Sequence, residues 1–469
     1  MTIPSMDYLS TKTLRAQLAR LGRAYLADRL HALRRLSTAR GLRYIDDHHT
    51  PHTIELALIP WLLTPAQMRF FTGVGRTLIA ALLRVPALYR QDPAVRRILA
   101  LDPAQEAWVA LAQHPRSRPW AVMGRLDSTA IFDHASWPSS FQLLEPNAVG
   151  VGGVHYAPTA CSIIADVLGE VLARAFPGRA VVPTPDPRQL LLDEVAGFAK
   201  RTGRMVRRIG LLENIDFTTG TDEFTHLARY FTARGLTALV VDPRELRLAR
   251  GRLVARGVEL DVLYRDCELN EFIDMEASGG RRLKALRSAI TEGRLLSGLL
   301  WEFDHKSCWE LFTDPTFAKY FSTGQRALFH RHLPWTRLVR EGLVSDPAGK
   351  RTELTAYIRR HQSDLVLKPN VLYGGQGVAV GHAVTRRAWE RTLAQGLRGR
   401  TPYVVQRLAR IAQHAFPRLH GGHVESVMRG VVSGFFFNSS RTGLVGRFSE
   451  DPVVNVSRGG GLVGAFVVE

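Results

Sequence analysis

The chain opens with apolar residues at helical spacing. Between residues 8 and 40 they recur every three or four positions, at Leu14, Leu18, Leu21, Tyr25, Leu26, Leu30 and Leu33. Nine basic and two acidic residues accompany them in positions 1 to 45. The pattern predicts a basic amphipathic helix, whose leucine stripe packs on the body of the protein or meets anionic lipid or an acidic partner.

Helix-rich sequence continues over residues 54 to 113, with prolines at positions suited to turns or first helical turns. Residues 1–115 are therefore predicted to form an N-terminal helical region.

Short apolar runs separated by Gly, Pro and Asn replace the helical spacing after Trp120, which is typical of strands and loops. Between about 190 and 270, the order helix, strand, helix, strand, strand predicts an α/β unit with parallel pairing, a small Rossmann-like layer. No GxGxxG follows its first strand, so a dinucleotide site is not supported there. A helical stretch over about 281–340 leads to strand-rich sequence that includes LVLKPNVLYGGQGVAV.

Composition places the chain among globular proteins. Its 469 residues are 45% hydrophobic and 22% charged, enough for a real core and roughly two to four domains. Since no apolar run approaches the ~18 to 20 residues of a membrane span and the opening lacks a secretory signal, we expect a cytoplasmic protein without a membrane span. Cys161, Cys267 and Cys308 lie far apart without a CxxC pair, so neither a disulfide framework nor a thiolate zinc site is indicated.

The charge balance leaves a nucleic-acid partner open. Lysine and arginine number 62 against 43 acidic residues, for a net charge of +19. However, the excess is scattered, and base-reading motifs and interleaved aromatic residues are missing. Only seven of the basic residues are lysines. A lysine in such an arginine-rich chain indicates a need for a compact ammonium, for example against a phosphate, which directs attention to Lys306 and Lys368.

A glycine-rich segment gives the sharpest local signal. Lys368-Pro369-Asn370 precedes Tyr373-Gly374-Gly375-Gln376-Gly377. Glycines let the backbone approach a ligand and present N–H groups to phosphate oxygens, while the lysine supplies a point charge. It is not a Walker A motif, because the lysine comes before the glycines and a strand follows them. An ordinary glycine-rich hairpin is the alternative.

Carboxylates form the second signal. Asp127 follows Arg125 by two residues, and Glu145 and Asn147 precede Gly150, Gly152 and Gly153. Spacing of two along a strand puts Glu145 and Asn147 on one face, and their oxygens are hard ligands suited to Mg²⁺. A turn with incidental charge is the alternative.

The third signal is a group of arginines near a glycine-rich run late in the sequence. Arg429 and Arg447 precede Asn455 and the run Arg458-Gly459-Gly460-Gly461. Such a group suits a carboxylate or phosphoryl ligand through bidentate N–H···O bonds and exposed backbone donors. An exposed basic loop is the alternative.

Together, these segments resemble the ATP-grasp ligases in circularly permuted order, as in the glutathionylspermidine-synthetase-like carboxylate–amine ligases. Lys306, Lys368-Pro369 with its glycines, Val404-Val405-Gln406 and the late arginines follow the family's order, while Asp127 and Glu145-x-Asn147 stand at the front instead of the end. The resemblance covers about residues 120–469. Each motif alone is weak, but five compatible motifs in one permuted order are hard to obtain by chance. Arg407 departs from the pattern, because many members have a hinge glutamate there.

The resemblance implies an α+β or α/β protein with a permuted ATP-grasp fold, an inserted Rossmann-like layer and an N-terminal helical region. The implied domains are 1–115, the helical region; 116–190, the metal-binding part of the core; 191–280, the Rossmann-like substrate-side domain; and 281–469, the ATP-binding part of the core.

It also implies ATP-dependent ligation of a small-molecule or peptide carboxylate to an amine or thiol through an acyl phosphate, with ADP and phosphate released. ATP and one or two Mg²⁺ would be required. A non-catalytic ATP-binding scaffold of the same fold is the alternative function, and a basic nucleic-acid-binding protein is a further one.

Three groups of residues carry the implied roles. The expected catalytic residues are Arg125, Arg429, Arg447, Asn455 and Arg458. The expected ATP-binding residues are Lys306, Lys368, Tyr373, Gly374, Gly375, Gly377, Val405 and Gln406. The expected metal ligands are Asp127, Glu145 and Asn147.

Overall fold

A computed structural model describes residues 8–46, 48–113, 122–216, 222–280, 282–372, 374–399, 401–438 and 440–469. Its helices are α1 (Lys12–Ala39), α2 (Pro65–Leu82), α3 (Val85–Gln91), α4 (Pro93–Ile98), α5 (Pro103–Val109), α6 (Trp137–Ser140), α7 (Tyr156–Ala175), α8 (Pro187–Thr202), α9 (Glu223–Thr232), α10 (Leu269–Gly279), α11 (Lys284–Thr291), α12 (Cys308–Thr313), α13 (Thr323–His332), α14 (Leu354–Arg360) and α15 (Arg386–Arg398).

The strands are short except near the end of the chain. They are β1 (Arg43–Ile45), β2 (Pro51–Thr53), β3 (Trp61–Leu63), β4 (Gly124–Thr129), β5 (Gln142–Asn147), β6 (Val181–Pro183), β7 (Arg208–Leu212), β8 (Thr237–Val241), β9 (Arg247–Ala249), β10 (Arg252–Ala255), β11 (Val258–Glu259), β12 (Val262–Arg265), β13 (Thr336–Leu338), β14 (Leu343–Ser345), β15 (Arg351–Glu353), β16 (Leu365–Pro369), β17 (Ala379–Val380), β18 (Tyr403–Arg407), β19 (Ala412–His420), β20 (His423–Phe437), β21 (Thr442–Ser449), β22 (Gly461–Val463) and β23 (Ala465–Val468).

The predicted amphipathic helix is present as α1 and packs on α7. Leu14, Leu18 and Leu33 are at most 3% exposed. A break at Gly22, whose φ is 81°, lets the helix change direction. The body of the protein thus covers Leu14, Leu18 and Leu33, whereas Leu21 of the same stripe stays exposed and Tyr25, Leu26 and Leu30 are half-buried.

The rest of the N-terminal region mixes helices with strands. Prolines occupy the first helical position of α2, α4 and α5, as their spacing predicts. Thr64 and Gln67 form a capping box at the start of α2. The predicted helical region also contains the short strands β1, β2 and β3, whose runs of three residues are too short to show a period-two pattern.

The largest sheet joins early and late parts of the chain. Its order is β22-β21-β20-β4-β5, with β19 also paired to β20. The β4–β20 pair is antiparallel and sets Asp127 opposite Gly434. The early strands that carry the predicted metal ligands therefore belong to the same sheet as the late arginine segment.

A four-stranded sheet of order β13-β18-β16-β17 has a hydrophobic core of its own. Trp335, Leu367, Trp389 and Val405 are buried in it. A second, much larger core holds the remaining layers together. The chain between about 335 and 405 thus packs separately from the sheet that carries Asp127.

The expected α/β unit has the predicted parallel pairing. β7 is the middle strand of a three-stranded sheet of order β12-β7-β8, and both pairs are parallel. α8 precedes β7, and α9 connects β7 to β8. In a further small sheet, β23 is the middle strand: it pairs with β3 in parallel and with β6 in antiparallel orientation.

Two helical stretches are long and apolar enough to cross a membrane by length and composition, although the apolar runs of the sequence predict none. They are Pro65–Gln91, with 56% of its apolar 18-residue segment buried in the protein, and Tyr156–Ala175, with 61% of the corresponding segment buried. Both contribute to the main hydrophobic core, as apolar helices of a large core do.

Candidate active site

A cleft of about 1360 Å³ brings the predicted segments together. It is lined both by the large sheet that carries Asp127 and by the separately packed sheet that carries Lys368. The predicted site residues in its lining are Arg125, Asp127, Glu145, Asn147, Lys306, Lys368, Gly374, Gly375, Gln406, Arg447 and Asn455. Asp127 and Arg447, which are 320 positions apart in sequence, thus meet at one site.

The predicted metal ligands lie on two neighbouring strands in matched register. Asp127 pairs with Glu145 and Arg125 pairs with Asn147 across the antiparallel β4–β5 ladder. Directly opposite residues and residues two apart share a sheet face. The local sequence therefore gathers two carboxylates, an amide and a guanidinium on the face that lines the cleft.

Two arginines hold the Asp127 carboxylate. Arg125 donates from Nε to Oδ1 at 2.7 Å and from Nη2 to Oδ2 at 3.1 Å, and Arg447 donates from Nη2 to Oδ2 at 2.7 Å. Burial alone would raise the pKa of Asp127, but the two guanidiniums outweigh it and hold the pKa at about 2. Asp127 is therefore an anion throughout the neutral range.

The oxygen donors of this face fit Mg²⁺. Asp127, Glu145 and Asn147 offer carboxylate and amide oxygens, and Mg²⁺ needs only a few protein ligands when phosphates and water complete its shell. Among the described residues, no three His, Cys, Asp or Glu side chains converge as a metal-binding group. A metal here would depend on these two carboxylates together with the amide and the ligand's own oxygens.

Both predicted phosphate lysines reach the same face. Lys306 Nζ lies 3.6 Å from Glu145 Oε2 and donates to the Leu372 carbonyl at 2.8 Å. Lys368 Nζ donates to Gln406 Oε1 at 2.9 Å. Burial lowers the pKa of Lys368, while Glu145 acts in the opposite direction. Two ammonium groups thus stand beside the carboxylate pair, as binding of a metal-phosphate group requires.

The glycine-rich turn has the left-handed backbone that its composition predicts. Gly374, Gly375 and Gly377 have φ values of 67°, 74° and 67°. A Cβ at Gly375 would lie 2.6 Å from Val453 Cγ1. Arg458 Nη1 donates to the Gly375 carbonyl at 3.4 Å, so the late glycine run meets the turn. Tyr373, expected at this site, lies outside the described residues.

The strand β18 forms the far wall of the cleft beyond Lys368. Gln406 is 1% exposed, and its Nε2 donates to the Leu144 carbonyl at 3.2 Å and to Thr336 Oγ1 at 3.0 Å. Val405 is fully buried in the separate core instead of the cleft lining. Arg407 is exposed and lines the cleft.

The late arginines have different surroundings. Arg447 lies in the cleft against Asp127, whereas Arg429 lies outside the cleft lining and is 4% exposed. Arg429 makes ion pairs with Glu55 at 2.9 Å and Glu450 at 3.3 Å. Both surroundings give a guanidinium anionic partners within the protein, but only Arg447 faces a ligand-sized space.

Three acidic residues that sequence reasoning missed also line the cleft. They are Glu268, Glu302 and Asp304. Burial, reinforced by neighbouring carboxylates, raises the pKa of Glu268 to about 8. Burial likewise raises the pKa of Asp304 to about 7. Asp304 stands two positions before Lys306, so its place in the sequence could have indicated it; Glu268 carried no comparable signal.

Comparisons with known proteins define the fold. No family model matches the chain, and no curated protein matches it. A solved structure of a glutathione synthetase-like effector from Globodera pallida, in its apo form, matches 98% of this chain and 100% of its own, at 10% identity and a TM-score of 0.61. This match supports the predicted ATP-grasp-like fold.

Two further solved structures match the chain less well. A putative gamma-glutamylcysteine synthetase from Methylobacillus flagellatus matches 76% of this chain and 81% of its own, at 12% identity and a TM-score of 0.33. An ATP-grasp RimK domain protein from Sphaerobacter thermophilus matches 55% of this chain and 89% of its own, at 15% identity and a TM-score of 0.25.

Proposed function

We propose that the chain is an ATP-dependent ligase that joins a carboxylate to an amine through an acyl phosphate and releases ADP and phosphate. The observation that carries the proposal is the meeting of Lys306 and Lys368 with Asp127 and Glu145 in one cleft. Asp127 and Glu145 belong to the large sheet, Lys368 belongs to the separately packed sheet, and Lys306 lies in the segment just before α12. A shared fold alone does not define a function. The charge pattern of this cleft supplies the chemical argument.

The lysine side of the cleft suits a nucleoside triphosphate. Lys306 and Lys368 would neutralise the phosphates, and the glycine turn at Gly374, Gly375 and Gly377 would offer backbone N–H groups. Gln406 and the neighbouring backbone at Val405 would border the base. Phosphoryl transfer depends mainly on positioning and charge neutralisation, which this set provides.

Asp127, Glu145 and Asn147 would hold one or two Mg²⁺. Bound there, the metal would neutralise phosphate charge during transfer. Arg125 and Arg447 hold Asp127 in place and present further N–H groups to the cleft. We assign to them the carboxylate substrate and its phosphorylated form, with Asn455 and Arg458 at the border of the site.

Arg429 has a structural role in this proposal, because its buried guanidinium lies outside the cleft lining and pairs with Glu55 and Glu450.

The additional acidic residues of the cleft favour an amine over a thiol as the second substrate. Asp304, whose pKa of about 7 leaves it partly ionised at neutral pH, suits a cation, and ammonium groups are the cationic form of amines at neutral pH. The Asp304 carboxylate is also suited to accept the proton that an amine must lose before it attacks. A thiol would gain nothing from anionic neighbours, which oppose its ionisation.

The permuted order and the domain boundaries remain predictions. The pairing of β4 with β20 supports the permuted order, because it adds the early metal-ligand strand to the late sheet.

Thermal unfolding with a non-hydrolysable ATP analogue tests the nucleotide site, with and without Mg²⁺. Binding raises the melting temperature by mass action. We expect a Mg²⁺-dependent rise that Lys368→Ala removes and that Lys350→Ala, an exposed lysine in the turn between β14 and β15, retains. Absence of any rise in the wild type would refute the proposal.

Two further measurements on the wild-type protein distinguish the ligase from the two alternative functions. A scaffold would bind the analogue but release no ADP with any carboxylate and amine pair. A nucleic-acid-binding protein would bind oligonucleotides with an affinity that falls steeply as salt increases.

A further inference from the structure

The loop of residues 148–155, between β5 and α7, forms part of the cleft wall but contributes mainly its backbone. Val149, Gly150, Gly152 and Gly153 line the cleft. Gly153 has a φ of 99°, and a Cβ there would lie 2.9 Å from Phe436 Cζ, so only glycine fits this backbone. A loop of this composition has little rigidity of its own and needs contacts from elsewhere to hold one shape.

Carboxylates from distant segments supply these contacts. Glu223 accepts the Gly153 N–H at 2.5 Å on Oε1 and the His155 N–H at 3.0 Å on Oε2. Asp304 accepts the Ala148 N–H at 2.6 Å. The backbone of the loop is therefore fixed at both ends by side chains that follow it by more than 65 positions in the sequence.

Arg125 contacts the same loop from the catalytic side. Its Nη1 donates to the Gly152 carbonyl at 2.5 Å. This carbonyl belongs to the same peptide group as the Gly153 N–H that Glu223 accepts. With its two bonds to Asp127, this bond uses three of the five donors of the guanidinium. The orientation of the remaining donors thus depends on where the Gly152 carbonyl stands.

Glu223 is placed for this role. It is 7% exposed and begins α9 in the parallel α/β layer. Its partners are backbone N–H groups that precede α7, where an anion is favoured by the helix N-terminus. Burial raises the pKa of Glu223 to about 7, although the His155 and Gly153 N–H groups act in the opposite direction. Burying a carboxyl group is costly, and the two bonds to the loop offset that cost.

We propose that Glu223 is a positioning residue that holds the loop of residues 148–155 and thereby sets the orientation of the Arg125 guanidinium toward an anionic ligand in the cleft. The inference rests on the proposed function for its catalytic meaning, but the anion site itself can be measured without it. The effect of Glu223 should pass through Arg125, because the two residues share the peptide at Gly152 and Gly153.

Inorganic phosphate is the probe, and its dissociation constant is measured by calorimetry with MgADP and without it. We expect Glu223→Ala to weaken phosphate binding about tenfold, because misplacing a positioned donor costs far more than its own contact, while MgADP affinity stays within about twofold. Glu223→Gln, which keeps one acceptor oxygen, should recover part of the loss. Asp222→Asn removes the same charge from the exposed neighbouring residue and should change neither constant.

A double-mutant cycle with Arg125→Lys decides whether the effect passes through Arg125. If it does, Glu223→Ala adds less than about twofold to the Arg125→Lys loss, because coupled residues are not additive. Additive losses, or unchanged phosphate binding in Glu223→Ala, would overturn the inference. If Glu223→Ala does not fold, the cycle with Glu223→Gln decides by the same criterion.

The proposed function and the inference fail in different ways. Wild-type protein that binds phosphate but not MgADP would refute the nucleotide site, and the Glu223 cycle would still decide the inference. Wild-type protein without any phosphate binding would overturn the inference, because Arg125 would then present no anion site.

Discussion

Asp127 and Glu145 face each other directly across the β4–β5 ladder, so two carboxylates occupy one step of the sheet. Like charges in this position ordinarily destabilise a sheet. Here Arg125 and Arg447 bind Asp127, and Lys306 lies 3.6 Å from Glu145. The cations balance the charge of the pair, and both carboxylates line the cleft.

Substitution of either carboxylate should abolish the metal response. In Asp127→Asn and Glu145→Gln, we expect the Mg²⁺-dependent part of the thermal shift with the ATP analogue to disappear, and turnover to fall at least about 100-fold. The unliganded melting temperature of Glu145→Gln should change little, because a like charge is removed from the pair. Glu170→Gln, a largely exposed glutamate on α7, is the control. Undiminished Mg²⁺ dependence in either variant would refute the metal assignment.

Lys306 should contribute to affinity more than to stability. Lys306→Met should weaken binding of the ATP analogue by about tenfold to a hundredfold, the equivalent of about 1.5–3 kcal/mol for a charged hydrogen bond. Calorimetric titration of the variant beside Lys350→Ala measures the loss. A large fall in melting temperature with unchanged affinity would instead indicate that Lys306 only neutralises Glu145 in the fold.

Glu268 should make stability depend on pH. Its pKa is about 8 in the folded protein, against an ordinary value of 4.5, because burial disfavours the anion. Between about pH 4.5 and 8, Glu268 is therefore protonated in the folded protein but ionised in the unfolded chain. The stabilisation is complete below this window and lost as pH rises through it.

The wild-type melting temperature should consequently fall more steeply from pH 6 to 8.5 than that of Glu268→Gln, and the variant should be the more stable protein at pH 8.5. Melting curves at several pH values test this directly. Parallel pH profiles for the two proteins would show that Glu268 keeps its ordinary pKa.

Arg429 should matter for the fold. Its guanidinium is 4% exposed and pairs with Glu55 and Glu450. Arg429→Gln should lower the free energy of unfolding by about 1–3 kcal/mol, since hydrogen bonds to charged groups are lost and the partially exposed glutamates limit the cost. Urea denaturation measures the change, and analogue affinity should stay within about twofold of the wild type. Loss of affinity without loss of stability would return Arg429 to the site.

Local patterns predicted the parts of the site that lie within short segments. Alternation along a strand placed Glu145 and Asn147 on one face, and the glycines of the turn predicted the left-handed backbone seen at Gly374 and Gly375. The amphipathic helix α1 and the parallel order of the α/β layer also followed from periodicity.

Contacts between distant segments could not be predicted in this way. Nothing in the sequence near Asp127 indicates that Arg447 binds it, and the register that brings them together is set by strands 300 positions apart. Glu223 was missed for the same reason, because its partners at Gly153 and His155 belong to another layer. Arg429 and Arg447 look alike in sequence, yet only their three-dimensional surroundings distinguish a buried ion pair from a residue of the cleft.

The position of β23 constrains how the chain can fold during synthesis. β23 is the middle strand between β3 and β6, and its Ala465 pairs with Trp61, about 400 residues earlier. At about 5–20 residues per second, a ribosome takes roughly 20 to 80 s to supply that partner. During this interval the apolar residues of β3 have no β23 to pair with. We therefore expect the nascent chain to depend on chaperones that bind near Trp61 until β23 has been synthesised.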